Sequence, residues 1–188
     1  VHWNNERVTI PGLKKSVLYW AALAVLAVVG SAYAYRLTSA PRPPTVEEYL
    51  AEVGEGAKLA PAGFTLSGVT PSCRGLPIVL DSTLTDVAAT HIGFIILNEA
   101  RISKLPKVVQ LYAFGHECGH QIHGLSEEKS DCQAIVDGHK AGWLDEAGIA
   151  AICEFWKPYQ GDNSHAPGPE RCALMKRCFA EGMTAAGG

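Results

Sequence analysis

Phe114-Gly115-His116-Glu117-Cys118-Gly119-His120 is the stretch on which the reading of this chain turns. On a helix of 3.6 residues per turn, positions i and i+4 lie one above the other. His116 and His120 therefore direct two imidazoles at one point, with Glu117 turned slightly aside. That arrangement suits a zinc ion (Zn2+) with a carboxylate beside its bound water. Composition alone produces the pattern in roughly one or two shuffled chains per hundred, so the flanking residues must supply further support.

The flanks read as two helices. Pro106 stands where a first-turn proline belongs, Val108, Val109, Leu111 and Phe114 give an apolar face, and Gly124 closes the helix. Ser126 suits the N-cap of a second helix over residues 127–140, ended by Gly142. A turn centred on Gly124 brings that helix back antiparallel to the first. Glu127 and Asp131, four residues apart, then share the face that looks at the histidines. A hydrolytic zinc site takes three protein ligands and keeps one position open. Glu127 is accordingly assigned as the third ligand, and Asp131 as an acceptor that holds a histidine's free N–H and fixes its tautomer. The reverse, Asp131 as the ligand, stays open. His123 falls at the helix end with its ring off the convergence point, and Glu128 is turned toward solvent.

HExxH followed by Glu127-Glu128-Lys129-Ser130-Asp131 resembles the gluzincin zinc metallopeptidases. Ser164-His165-Ala166-Pro167-Gly168-Pro169-Glu170-Arg171 is similar to the Thr-His-Pro…Arg motif of the family-48 membrane metallopeptidases. The likeness covers about residues 80–178. The turn between the zinc helices is shorter than in thermolysin, and Ser-His-Ala-Pro stands in place of Thr-His-Pro. The resemblance implies peptide-bond hydrolysis by a zinc-activated water with Glu117 as general base. Together with their polar loop position, it makes His165, Arg171 and Tyr159 the candidates for steadying the tetrahedral oxyanion. Two rival readings are a metal-binding relative without peptidase activity and a disulfide-stapled exported interaction domain.

Upstream, Pro77-Ile78-Val79-Leu80 reads as a short buried strand ending at Asp81. His91-Ile92-Gly93-Phe94-Ile95-Ile96-Leu97-Asn98 reads as the best strand in the chain, β-branched and aromatic, with Asn98 ending it. By the same resemblance, strand 91–98 is a sheet edge above the zinc helix that a peptide or protein substrate can join. Thr45 and Glu48 form a capping box for a short helix that stops at Gly54, and residues 55–76 are Gly-, Pro- and Ser-rich loop with an irregular strand. Downstream, a helix is expected over about residues 145–155, a polar loop over 157–168, and a last helix from Pro169 fading after Glu181. Strands first and helices after give an α+β fold, and the resemblance implies a minimal zincin-like domain over residues 46–188. His91 and His139 read as surface histidines.

In front of that domain lie 20 uncharged residues, 16–35, between Lys15 and Arg36. The run is just long enough to cross a bilayer. It is also built like a signal peptide, with Lys14 and Lys15 before an Ala/Leu/Val core and Ala32-Tyr33-Ala34 as a cleavage site. Residues 1–35 are therefore a signal peptide or an N-terminal membrane anchor, and residues 36–45, with Pro41-Arg42-Pro43-Pro44, a stiff linker. Arg7, Lys14 and Lys15 ahead of the run place the rest outside the cytoplasm, periplasmic or extracellular. Six cysteines all follow the run, an even number that reads as disulfides in such a compartment, with Cys132 the plausible partner of Cys118. Net charge is -3, and without residues 1–34 it is -5, from 13 Lys+Arg against 18 Asp+Glu. That balance argues against a nucleic-acid surface.

Overall fold

The computed structural model describes residues 24–26, 28 and 42–186. The signal or anchor segment expected over residues 1–35 lies almost wholly outside them, as does most of the linker. Among the described residues no helix is long and apolar enough to cross a membrane. The chain enters the domain at Thr45. Its hydroxyl accepts from the Glu48 N–H at 3.3 Å, and the Glu48 carboxylate accepts from the Thr45 N–H at 2.9 Å. This capping box opens α1 (Val46–Val53), which Gly54 ends at φ 70°.

A 3-10 turn then leads into β1 (Ala57–Leu59), followed by β2 (Ile78–Asp81), β3 (Ala88–His91) and β4 (Phe94–Leu97). The sheet order is β1-β2-β4-β3; β2 and β4 run parallel and the other two pairs antiparallel. β4 is covered on both faces, as the interior strand of a mixed sheet must be. Ile95 and Leu97 pack with Leu111 and Phe114 on one side, and Phe94 and Ile96 with Tyr49 and Leu50 of α1 on the other.

Residues 91–98 therefore do not form one strand. His91 pairs with Phe94 across a two-residue turn, Ile92-Gly93, with Gly93 at φ 96°. A positive φ at a central residue is what a tight hairpin turn requires, and glycine supplies it without a steric cost. The expected edge is consequently displaced: Phe94–Leu97 is interior, and the edge strand beside it is β3.

Helices follow: α2 (Glu99–Ile102), α3 (Lys107–His123), α4 (Glu127–Lys140), α5 (Glu146–Trp156) and α6 (Gly168–Ala186). α3 lies on the sheet through Leu111 and Phe114, and its other side meets a helical core of Val109, Tyr112, Ala134, Ile135, Ile152 and Met175. α3 and α4 approach unusually closely because Gly115 and Gly119 face Ala134 and Ser130. A Cβ on Gly119 would stand 2.6 Å from the Ser130 Cα.

All six cysteines pair, as Cys73–Cys118, Cys132–Cys178 and Cys153–Cys172. The expected Cys118–Cys132 bond is not formed. Gly115 and Gly119 make the α3–α4 contact, whereas Cys118 packs in the core between α3 and the sheet, where Cys73 reaches it. Each bridge contributes about 3–4 kcal/mol in the chain-entropy model. Three disulfides suit an oxidising, exported environment.

Candidate metal centre

α3 carries His116 and His120 on one face, and their Nε2 atoms stand 3.0 Å apart. Glu127, the first residue of α4, brings Oε2 to 3.0 Å from His116 Nε2 and 3.5 Å from His120 Nε2. The close helix contact at Gly119 is what lets a side chain as short as glutamate reach. Tetrahedral donors about 2.0–2.1 Å from a zinc-sized ion sit about 3.3 Å from one another. The three atoms thus form a triangle of the right size, a group able to hold a metal ion.

Protonation supports the same conclusion. His116 Nδ1 lies 2.8 Å from Asp131 Oδ1, and His120 Nδ1 lies 2.6 Å from the Gly124 carbonyl oxygen. Both partners only accept, so Nδ1 carries the proton and a neutral ring presents its lone pair at Nε2. Glu127 Oε2 is buried, surrounded by imidazole nitrogens, and takes a hydrogen bond from none of them. Three electron pairs facing one another in a buried place call for a cation. With a proton there instead, burial pushes His116 down. Its hydrogen bonds to Asp131 and Glu127, and the Asp131 and Glu117 charges, outweigh burial and carry it up to about 9. Glu127 is pushed up by burial but held below its ordinary value by contact with His116 and by the His116, His165 and His120 charges.

Asp131 lies outside the three-donor group and stands behind His116. Oδ1 accepts from His116, from the Tyr112 hydroxyl and from Arg171 Nη2 at 2.6 Å, while Oδ2 accepts from Arg171 Nε at 2.9 Å. Burial would raise its pKa, but the hydrogen bonds from His116 and Arg171 hold the carboxyl well below the usual range. Arg171 is 5% exposed, its guanidinium engaged by Asp131 and Tyr112 and stacked 4.7 Å from the Trp156 ring centroid. From the first turn of α6 its Nε and Nη2 face α4 and order the support of His116, while the residue also lines the cleft.

His165 does reach the centre. Its Nε2 lies 2.9 Å from Glu127 Oε2, from a loop opposite α3. That loop is tied by Asp162, which accepts from the backbone N–H groups of Ser164 and His165 at 2.8 Å each and from the Tyr159 hydroxyl. Tyr159 therefore braces the loop, which corrects its placement among the oxyanion candidates. The Tyr159 hydrogen bond and the two backbone donors also hold the Asp162 carboxyl well below its usual range.

Glu117 opens with His116, His120, Glu127 and His165 into a cleft of about 1190 Å³ that runs along β3. No hydrogen bond or ion pair to the described residues engages its carboxylate. Burial raises its pKa, the His116 and His120 charges lower it, Glu127 raises it again, and the net is upward.

Sequence reading missed Gln121. Its Oε1 accepts from the Gly93 N–H at 3.0 Å, and its Nε2 donates to Thr90 Oγ1 and to the His91 and Phe94 carbonyl oxygens, at 2.6 and 3.2 Å for the carbonyls. It clamps the β3–β4 hairpin onto α3. Its spacing of four from Glu117, which puts both on one face, was the available signal. His91 and His139 are half-buried rather than on the surface, packed against Phe94 and Phe179. Exposed Glu128, and His123 bonded to Gln133, stand clear of the centre as expected. No protein-family model, curated protein or solved structure matches this chain.

Proposed function

We propose that the chain is a zinc-dependent peptidase of gluzincin type, exported, with residues 1–35 either removed or kept as an anchor. One observation carries the reading. A carboxylate without a structural partner, Glu117, stands beside three converged donors in a cleft walled by an open strand edge. A purely structural site has no use for such a carboxylate and closes its fourth position with protein.

Zinc held by His116, His120 and Glu127 supplies Lewis acidity toward water and a carbonyl at neutral pH. Glu117 takes the proton of the attacking water at its carboxylate and returns it to the leaving amine. The upward pull of burial on its pKa suits traffic in both directions. When its ring is doubly protonated, with Nδ1–H toward Asp162, His165 offers an Nε2–H donor to the developing oxyanion. Asp131, gripped by Arg171 and Tyr112, keeps the His116 Nδ1–H fixed so that Nε2 faces the cation. The free backbone groups of β3 orient an extended chain across these residues.

Metal analysis of the purified full-length chain tests the centre: one equivalent of zinc is expected, lost in His116→Ala. Hydrolysis of an unfolded protein tests the chemistry. It should fall roughly 10²- to 10⁴-fold in Glu117→Gln with zinc retained. A chain that takes up no metal sinks the reading. A zinc-loaded chain that cleaves nothing leaves a non-proteolytic metal binder in its place.

A further inference from the structure

The cleft is lined by polar groups, among them Asp162, Ser164 and His165, and also by two aliphatic residues on turn tips, Ile92 between β3 and β4 and Leu125 between α3 and α4. They are 77% and 96% exposed. A lone exposed aliphatic residue is ordinary. These two belong to different elements lining the same cleft, and Gln121 fixes the hairpin that carries Ile92 to α3 through Gly93 and the His91 carbonyl.

The open edge points to the occupant. β3 runs directly into Ile92. A chain added along β3 alternates its side chains with a period of two, so one of them comes to lie beside Ile92. A bilayer or a second globular copy would have no reason to follow that edge toward Glu117. An extended polypeptide does.

We infer that Ile92 and Leu125 form an apolar clamp that selects a large apolar side chain of the extended substrate at one fixed position from the scissile bond. This rests on the peptidase reading.

Two measurements on the full-length, zinc-loaded chain separate the clamp from that reading. First, short unstructured peptides in which a single Leu is walked through an Ala/Ser/Gly sequence are bound to the Glu117→Gln variant. One Leu position should tighten binding at least about tenfold over Ala. Leu125→Asp or Ile92→Asp, each at an exposed site and checked by thermal melting, should bring that ratio close to one. Second, the cleavage sites of wild type in an unfolded protein are mapped by mass spectrometry. Apolar residues should be enriched at one position, and Leu125→Asp should lose the enrichment. Cleavage without positional preference, or a preference that survives both substitutions, overturns the clamp and leaves the peptidase standing. Leu-dependent binding without any cleavage upholds the clamp and removes the peptidase. If Leu125→Asp changes only self-association or binding to phosphatidylcholine vesicles, with peptide ratios intact, the apolar tips serve a second copy or a bilayer and the clamp is wrong.

Discussion

The two walls of the cleft are built in opposite ways. On the α3–α4 wall His116 is 6% exposed, its Nδ1 is fixed by Asp131, and Asp131 is gripped in turn by Arg171 and Tyr112. On the facing wall the His165 side chain is 29% exposed and is held through Asp162, whose own side chain is half in solvent. Metal donors have to be held to within about half an ångström, which takes packed helices and a second layer of hydrogen bonds. A group that meets a substrate has to be reachable, which a loop permits and a core does not.

Removing the exposed histidine is the sharpest way to break this contrast. His165→Ala should lower cleavage by about 10²- to 10³-fold, the usual effect of losing one oxyanion donor. Zinc content and melting temperature should stay unchanged. Loss of zinc with it would make His165 a ligand and erase the difference between the walls. On the buried side, Arg171→Ala leaves Asp131 without its main partner. It should cost about 3–5 kcal/mol of stability and weaken metal binding about 10- to 100-fold, read by thermal melting and chelator competition. If Arg171→Ala instead slows turnover alone, the guanidinium belongs with the substrate after all.

The same contrast decides what could be read from the sequence. The α3–α4 wall was legible because one 3.6-residue period sets both the apolar face and the ligand spacing, so His116, His120, Glu127 and the role of Asp131 came together. The facing wall depends on contacts distant in sequence. Arg171 has the residue type and the neighbourhood of a catalytic group, yet its direction is set by how α6 packs on α4. The edge strand was misplaced by one turn, because an isoleucine at Ile92 hid a hairpin whose only local signal was Gly93. The disulfides were illegible for the same reason as Arg171: Cys118 finds Cys73 through a loop that crosses the sheet side of α3.

The proton count gives a gentler test of the buried wall. His116 in the cation-free fold titrates at about 9, against 6.5 as the ordinary value. A raised folded pKa gives stability that is fully present below about pH 6.5 and lost as pH rises through 9. A cation needs the neutral ring and so competes with that proton. Apparent zinc affinity should therefore climb about tenfold per pH unit from pH 6.5 to 9 and then level off, as one displaced proton requires. The cation-free chain should meanwhile lose melting temperature over the same interval. A flat affinity profile would mean that His116 is not protonated between Asp131 and Glu127, and the charge argument for the centre would fail with it.

The smallest effect concerns the glycine that lets the wall exist. A Cβ at position 119 would meet Ser130 Cα at 2.6 Å and Ser130 O at 2.8 Å, backbone atoms that cannot rotate away. Gly119→Ala must therefore part α3 from α4, at about 1–3 kcal/mol for overpacking of this kind. That corresponds to roughly 2–4 °C of melting temperature per kcal/mol in a domain of this size. Gly115→Ala, 3.2 Å from the Ala134 Cα, should be milder. Ser130 is less than one turn from Glu127, so the displacement at position 119 is passed to the third ligand, and zinc should be held a few-fold less tightly. His165, across the cleft, does not ride on that contact. A Gly119→Ala chain that melts lower but binds zinc as tightly as before would show that Glu127 is placed by something other than the close helix crossing.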